Sequence, residues 1–438
     1  MEAVGLLPMF SWVSMLFLLV ILVGFWSFTY ILYFMQSKHK NNAGQLPPGP
    51  LGLPIIGHLH MLGDLPHHSL NKLSQKYGPI MQLRLGLVPT VVVSTSEAAE
   101  LFLKTHDINF ASRPKILASE YISYGSRGVG FSEYGPYWRS LRKLCTIHLL
   151  SISKIESFRP LRKEEVRNFI KRVGAAEGEV VNISTEVRTV IEKISYGMIF
   201  GSVYKERFDF RPCIQEALLL IGAMNITDFI PFMRAFDLQG LTRRMKDANK
   251  TMDNFLEKII DEHEQGTTGE QEHHKDFIAI LLSLMKSDDG YEVKLDRTNI
   301  KAIIVDMLAA AMDTSATTID WALAELLRHP HIMEKVQDEL VNVVGLDRRR
   351  KCPGIEMGLK AVQLVLAQFV HCFNLELPHG MSPKDIDMKE SFGIVVPRGW
   401  DFVNLQLLGQ NIVSTTKVFC YIFLISSLDY RYMVLYEC

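Results

Sequence analysis

The chain has 438 residues, of which 48% are hydrophobic and 22% charged, with a formal net charge of −1. That size and apolar content allow one large domain, or two to three smaller ones, with a sizeable core. The near-neutral balance leaves no basic footprint for a nucleic-acid partner. The six scattered cysteines form no C-x-x-C pair, which argues against a zinc site or disulfide framework and fits a reducing compartment.

From Ala3 to Ser37 there is no charged residue over 35 positions. About 20 apolar residues suffice for a membrane-spanning helix, so residues 1–37 read as an anchor. Lys38 and Lys40 follow it, and flanking positive charge favours the cytosolic side, which places the remainder of the chain in the cytosol. A cleaved signal peptide is the other reading, but the run far exceeds an apolar region of about 7–15 residues. Sequons at Asn182, Asn225 and Asn249 are then expected to stay bare.

Residues 38–50 form a basic and proline-rich linker ending in Leu46-Pro47-Pro48-Gly49-Pro50, a stiff, non-helical spacer. Read alone it could also be a proline-rich ligand for a small binding domain. Met81 to Val93 predicts a hairpin, with Leu83 and Leu85 alternating, Gly86 and Pro89 marking the turn and Val91-Val92-Val93 as the return strand. Helical periodicity dominates from Ser96 onward, giving a mainly α class with small β-sheets (α+β). The polar stretch from Gly266 to Lys275 reads as a loop, and its His273-His274 pair as surface histidines. A long helix is predicted from about Thr298 to His329, capped by Asp296 or Thr298, ended by Pro330 and carrying an apolar stripe at Ile303, Ile304, Met307 and Leu308.

Three groups of residues point to chemistry. Arg349-Arg350-Lys351-Cys352-Pro353-Gly354 puts a cysteine between basic residues at the start of a helix-like stretch. Proline suits the first helical position, and free amides with the positive end of the helix dipole favour thiolate over thiol. Such a thiolate can bind haem iron. Within the long helix, Ala310-Ala311-Met312-Asp313-Thr314-Ser315 combines small residues, which let a flat macrocycle approach, with an acid that can relay protons and a hydroxyl that can bond the preceding turn. An alanine-rich packing helix is the plainer reading. Trp138 and Arg142 stand four apart on one helix face and could be a local cation–π pair.

Taken together these motifs resemble the cytochrome P450 family, the haem-thiolate monooxygenases. Gly52-Leu53-Pro54-Ile55-Ile56-Gly57-His58 is similar to the family's entry segment after the anchor, and Phe392-Gly393-Ile394-Val395-Val396-Pro397 to a late β segment. The resemblance implies the family's fold with haem b (iron protoporphyrin IX) as cofactor and Cys352 as the iron ligand. It also implies Trp138, Arg142 and Arg350 as propionate contacts, and Asp313 and Thr314 as the residues that steer protons when O2 is reduced. Arg350 could otherwise be part of a solvated basic cluster. Substrate contacts are expected from the loop between Arg113 and Trp138 and the helix face near Met307 to Ala311. The implied partners are a small hydrophobic substrate of the plant secondary-metabolite kind, O2, the lipid bilayer and a membrane-bound reductase supplying electrons from NADPH. The implied location is the endoplasmic reticulum membrane, single-pass, with the catalytic part cytosolic.

The pattern breaks in one place. Thr314 and Cys352 are only 38 positions apart, where the family places several more helices, an E-x-x-R helix and a long meander. Glu325-Leu326-Leu327-Arg328 spells E-x-x-R but is assigned to the next helix along rather than to that element. Gly345, Leu346, Asp347 and Arg348 stand where the family has Phe-Gly-x-Gly, so an internal deletion is expected near 348/349. Residues 51–397 are then a haem-thiolate domain lacking that segment. After the cysteine, Leu359, Val362, Leu366, Phe369 and Phe373 form a helical stripe. Residues 398–438 are an atypical tail whose apolar run from Val418 to Leu428, 11 positions, is too short to span a bilayer. The alternative functional reading is a catalytically inactive, membrane-tethered truncated isoform that does not bind haem stably.

Overall fold

The structure, a computed structural model, describes residues 6–39, 46–176, 180–201, 211–265, 275–287, 293–342, 354–377, 381–391, 395 and 404–410. Outside these lie Arg350, Cys352, the His273-His274 pair, the expected join at 348/349 and the run from Val418 to Leu428. So does most of the segment from Phe392 to Pro397. The chain divides into two compact units, residues 1–106 with 226–236, and residues 107–225 with 237–438.

The first unit begins with helix α1 (Leu6–His39), unbroken for 34 residues. It continues through α2 (Pro66–Tyr77) to an antiparallel pair, β1 (Ile80–Leu85) and β2 (Val88–Val93). Gly86 has φ +59° and is the first of two central turn residues, the geometry of a type II′ hairpin. Pro89 is therefore not in the turn, as expected above, but inside β2 opposite Arg84. Proline is tolerated there because β2 is an edge strand in a two-stranded sheet. The proline-rich linker is tied down rather than merely spacing. Gln82 N–H donates to Pro48 O (2.9 Å), and buried His58 bridges Pro50 O (3.0 Å) and the Arg84 N–H (2.8 Å).

The second unit is helical. Its longer elements begin with α3 (Pro136–Leu144), α4 (Arg159–Gly174), β3 (Val180–Asn182), α5 (Ile183–Phe200), α6 (Arg211–Gly222), α7 (Leu241–Glu264) and α8 (Phe277–Lys286). Then come α9 (Arg297–Arg328), α10 (Pro330–Asn342), α11 (Ile355–Cys372), β4 (Phe373–Glu376) and β5 (Asn404–Gln410). By length and composition α9 could cross a membrane, but most of it is buried in this unit, packed on α5, α11 and α8, so it is a core helix. Its limits follow the sequence expectation. Asp296 caps the start by accepting the Asn299 N–H (2.7 Å), and Asn299 Oδ1 accepts the Asp296 N–H in return (3.1 Å). Pro330 disfavours helix at His329 and starts α10. Glu325 to Arg328 is the last turn of α9, not the next helix as assigned above, with a loose Glu325–Arg328 pair at 3.5 Å.

Helix α11 lays Ala361, Val365, Leu366, Phe369 and Val370 into the core against α9 and α4. Of the expected stripe, Leu366, Phe369 and Phe373 are buried and Val362 is half-buried, whereas Leu359 at its start is 46% exposed; Phe369 meets Phe169 (5.7 Å) and Phe373 (5.4 Å). The atypical tail contributes β5, which pairs antiparallel with both β3 and β4 in a sheet of order β3-β5-β4. Truncating a buried phenylalanine costs about 3–5 kcal/mol. Phe369→Ala is expected to lower the chemical-denaturation stability by that amount, whereas Leu359→Ala should change it by less than about 1 kcal/mol.

Candidate functional site

Helix α9 is sunk in the core on most of its circumference, with Ile303, Ile304, Leu308, Ile319 and Leu323 at 0–1% exposure. One strip differs. Asp306, Ala310, Thr314 and Thr318 recur at i+4 and remain half-buried or exposed among the described residues. Leaving such a strip open on an otherwise enclosed helix is what a face that receives a ligand requires. The strip is narrow and small-featured, so a flat molecule can lie against it. Thr314 Oγ1 donates to Ala310 O (2.6 Å) and Thr318 Oγ1 to Thr314 O (2.7 Å). Both hydroxyls are therefore folded back on the helix with lone pairs directed outward, available to a proton donor. Asp313, half-buried, precedes Thr314 on the same turn. Being adjacent in the chain, Asp313 and Thr314 point about 100° apart around the helix, and only Thr314 lies on the strip.

Helix α3 supplies the predicted Trp138 and Arg142. The Arg142 guanidinium stacks over the indole at 5.1 Å, as i,i+4 spacing allows. No carboxylate pairs with Arg142 among the described residues, so it is a half-buried cation available to an anion. The Trp138 Nε1–H donates to Val129 O (3.0 Å), so the indole also holds the preceding loop. That loop is heavily constrained. Tyr124 (φ +51°) and Ser126 (φ +62°) sit in the left-handed region, a strain that persists only where surroundings over-determine the backbone. Tyr137 Oη donates to Arg127 O (2.8 Å) and accepts from Asn299 Nδ2 (2.7 Å), linking α3, the loop and α9.

Sequence reasoning missed Asp306. Its signal was a lone acid inside the stripe Ile303-Ile304-Val305-Asp306-Met307-Leu308. Its Oδ2 accepts the Gly130 N–H (2.9 Å), its carboxylate also accepts the Val129 N–H, and burial pushes its carboxyl up to about 6 against the pull of those amides.

Haem requires a pocket wall, cationic partners for its carboxylates and a sulfur ligand. The open strip of α9 and the unpaired Arg142 fit the first two. For the sulfur, the described cysteines are unsuitable. Burial pushes the Cys145 thiol up to about 12, with the Asp306 charge adding to it, pushes Cys213 to about 11 and raises Cys372. None is a thiolate at neutral pH. The candidate Cys352, with Arg350, lies outside the described residues.

This arrangement is a mainly helical core built around one long helix, α9, with one open strip. The chain belongs to the cytochrome P450 family, whose model, "Cytochrome P450", matches residues 47–349. Membership implies a haem cofactor. Cytochrome P450 CYP736A12 from Panax ginseng is 39% identical over 487 residues, covering 87% of this chain and 96% of the relative. A flavonoid 3'-monooxygenase from Arabidopsis thaliana is 38% identical over 390 residues, covering 87% and 75%. A 3,9-dihydroxypterocarpan 6A-monooxygenase from Glycine max is 41% identical over 346 residues, covering 76% and 67%. In fold alone, the chain is similar to a zebrafish cytochrome P450 solved with progesterone (TM-score 0.63, 18% identity, 78% of this chain and 99% of that one).

The buried thiols give a direct check. In the folded chain at about pH 8, a thiol reagent should leave Cys145 unmodified over hours, and denaturant should make it react at once. Mass spectrometry of the modified peptides reads the difference.

Proposed function

We propose that this chain is a membrane-tethered haem-thiolate monooxygenase that inserts one atom of O2 into a C–H bond of a small hydrophobic substrate. The other oxygen atom leaves as water, with two electrons from NADPH delivered by a membrane-bound reductase. The observation that carries the reading is the open strip of α9, with Asp313 and Thr314 beside small alanines, on a helix otherwise committed to the core. When bound, haem supplies the oxygen-activating chemistry, and the protein's part is to hold it and manage protons. Arg142 and Arg350 neutralise its carboxylates, Trp138 braces Arg142, and Cys352 ligates the iron. Thr314 can release Ala310 O and present its hydroxyl to the reacting side, while Asp313 carries protons in from solvent. The substrate class follows the names of the relatives, which include flavonoid and pterocarpan monooxygenases.

Membrane attachment at the endoplasmic reticulum, with the catalytic part in the cytosol, is supported by α1. At 34 residues it is about 50 Å long, more than a bilayer core, and it exposes Trp12, Phe17, Leu18, Ile21 and Trp26. In the same unit, Leu51 (92% exposed), Leu53, Leu87, Phe232 and Phe236 (71%) are also exposed apolar side chains, and Leu87 N–H donates to Phe229 O next to the last two (2.8 Å). Such a group suits contact with lipid. The sequons agree with a cytosolic side: Asn225 is buried, Asn182 caps α5 through its side chain, and Asn249 Nδ2 donates to Tyr121 O (2.7 Å).

The domain scheme of an anchor at 1–37, linker at 38–50, catalytic region at 51–397 and tail at 398–438 is part of this proposal, as is the deletion near 348/349. Two facts support the deletion. The family match stops at residue 349. The alignment with the ginseng relative runs over 487 residues but uses 87% of 438, about 380, so on the order of 100 aligned positions have no counterpart here.

The test is a carbon monoxide difference spectrum of the reduced chain in membranes. The reading predicts a red-shifted, thiolate-type Soret band that disappears in Cys352→Ala. Arg142→Ala should lower haem content severalfold, and Thr314→Val should keep haem while losing about 10-fold or more of substrate turnover. An intact membrane-bound chain with no haem signal would contradict the proposal and leave the inactive tethered isoform.

A further inference from the structure

The segment 123–132 crosses α9 as a strap and is tied to it at several stations. The Tyr124 ring lies 5.2 Å from Lys301 Nζ, which is itself paired with Asp253 (2.5 Å) and Glu257 (2.7 Å) of α7. Arg127 pairs with Asp296 (2.8 Å), and Arg127 O is reached by Asn299 through Tyr137. These contacts all sit in the first turns of α9. The farthest station is Asp306, one turn before Ala310 and two before Thr314 on the open strip. There the Val129 and Gly130 amides converge on one carboxylate. The fit is close enough that a methyl group at Gly128 would collide with Asp306 Oδ2. Ser132 Oγ closes the strap on itself through Gly128 O and Ser126 O (2.8 Å to the latter).

We propose that Asp306 is a positioning residue: its carboxylate clasps the 128–130 backbone and so sets how far the strap covers the strip on which substrate would lie. The role assigned to the strip rests on the monooxygenase reading. The clasp itself is a property of the haem-free chain.

The clasp has a definite pH response. The titratable groups that face Asp306 are Cys145 and Tyr137, both raised by burial and uncharged at neutral pH. Among the described residues, desolvation therefore dominates, opposed only by the two amides, and the closed strap holds a proton up to about pH 6. An opened strap returns Asp306 to water and to its ordinary value of 3.8. The closed form therefore binds protons more tightly, so closure is strongest below the open-state value and weakens as pH rises through about 6. The carboxylate thus acts opposite to a simple anionic clamp.

Hydrogen exchange of the full chain in lipid nanodiscs, without added haem, tests this between about pH 5 and about pH 8. The readout is the protection factor, corrected for intrinsic exchange, of peptides covering residues 126–132. Wild type should lose about tenfold of its protection across that range, the part of the interval between 3.8 and about 6 that lies above pH 5. Asp306→Asn, which cannot ionise, should keep the acid-side protection at every pH. Asp306→Ala, with no acceptor, should be low throughout, and α9 peptides over 300–305 should stay protected in all. Should Asp306→Ala not fold, Gly128→Ala, which pushes the carboxylate away, must lose strap protection in its place. Wild-type protection that is flat with pH would overturn the proposal, as would a folded Asp306→Ala or Gly128→Ala with wild-type protection. Because no haem enters the measurement, a failed oxygenase reading and a failed clasp are read separately.

Discussion

On the proposed reading one helix is core and reaction surface at once, and the second unit is packed around that helix. Helix α9 is 32 residues long, and its buried side chains join α5, α8 and α11 in a single apolar cluster. A 3.6-residue period gives about 100° per residue, so a strip repeating every fourth position can be kept free while the rest is packed. Asp306, Ala310, Thr314 and Thr318 occupy that strip. On the proposed reading, enlarging Ala310, Thr314 or Thr318 would fill the space a cofactor needs, whereas Asp306 is covered by the Val129 and Gly130 amides; making the flanking positions polar would unpack the core. On that reading function and stability fall on different sides of the same cylinder. Further ties fix its rotation: Ser184 Oγ donates to Asp320 Oδ1 (2.6 Å) from α5, and Lys301 pairs with two carboxylates of α7. With its rotation held, the strip's chemical groups keep their direction.

Much of this was legible in the sequence because it is local. Asp296 and Pro330 punctuate α9, the spacing of Trp138 and Arg142 puts them on one face, and Thr314 finds its partner one turn back. What was not legible depends on tertiary contacts. Pro89 looked like a turn residue, but a two-stranded sheet offers it an unpaired edge, and Gly86 alone bends the chain. On α11 the expected stripe holds at Leu366, Phe369 and Phe373 and fails at Leu359, while Ala361 and Ala367, which a count of large apolar residues passes over, are buried as well. Strand β5 (Asn-Leu-Gln-Leu-Leu-Gly-Gln) has only partial alternation and becomes a strand because β3 and β4 present edges on either side of it. Asp306 was passed over because periodicity counts apolar residues, and a carboxylate matters here through the amides that a distant loop brings to it.

The two halves of the proposed haem environment rest on different kinds of support. The distal half is geometry: a strip, a braced strap and a stacked guanidinium. The sulfur side is the resemblance of the run around Cys352 to the family's cysteine loop; Cys352, Cys420 and Cys438 all lie outside the described residues. Every described cysteine is held as a neutral thiol by burial, whereas the basic run around Cys352 would favour a thiolate. The family match ending at 349, beside that run, is consistent with a chain that keeps the distal helix and the cysteine but lacks the elements the family places between them.

The most direct test of the central claim is chemical accessibility of α9 itself. Cysteine is introduced in separate variants at Ala310, on the open strip, and at Leu308, on the core side, and each is treated with a maleimide before and after haem loading. The account predicts fast labelling of the Ala310→Cys variant without haem and strong protection with it, and no labelling of the Leu308→Cys variant in either state. Equal labelling at Ala310→Cys with and without bound haem would contradict it, because the cofactor would then lie elsewhere than on this strip.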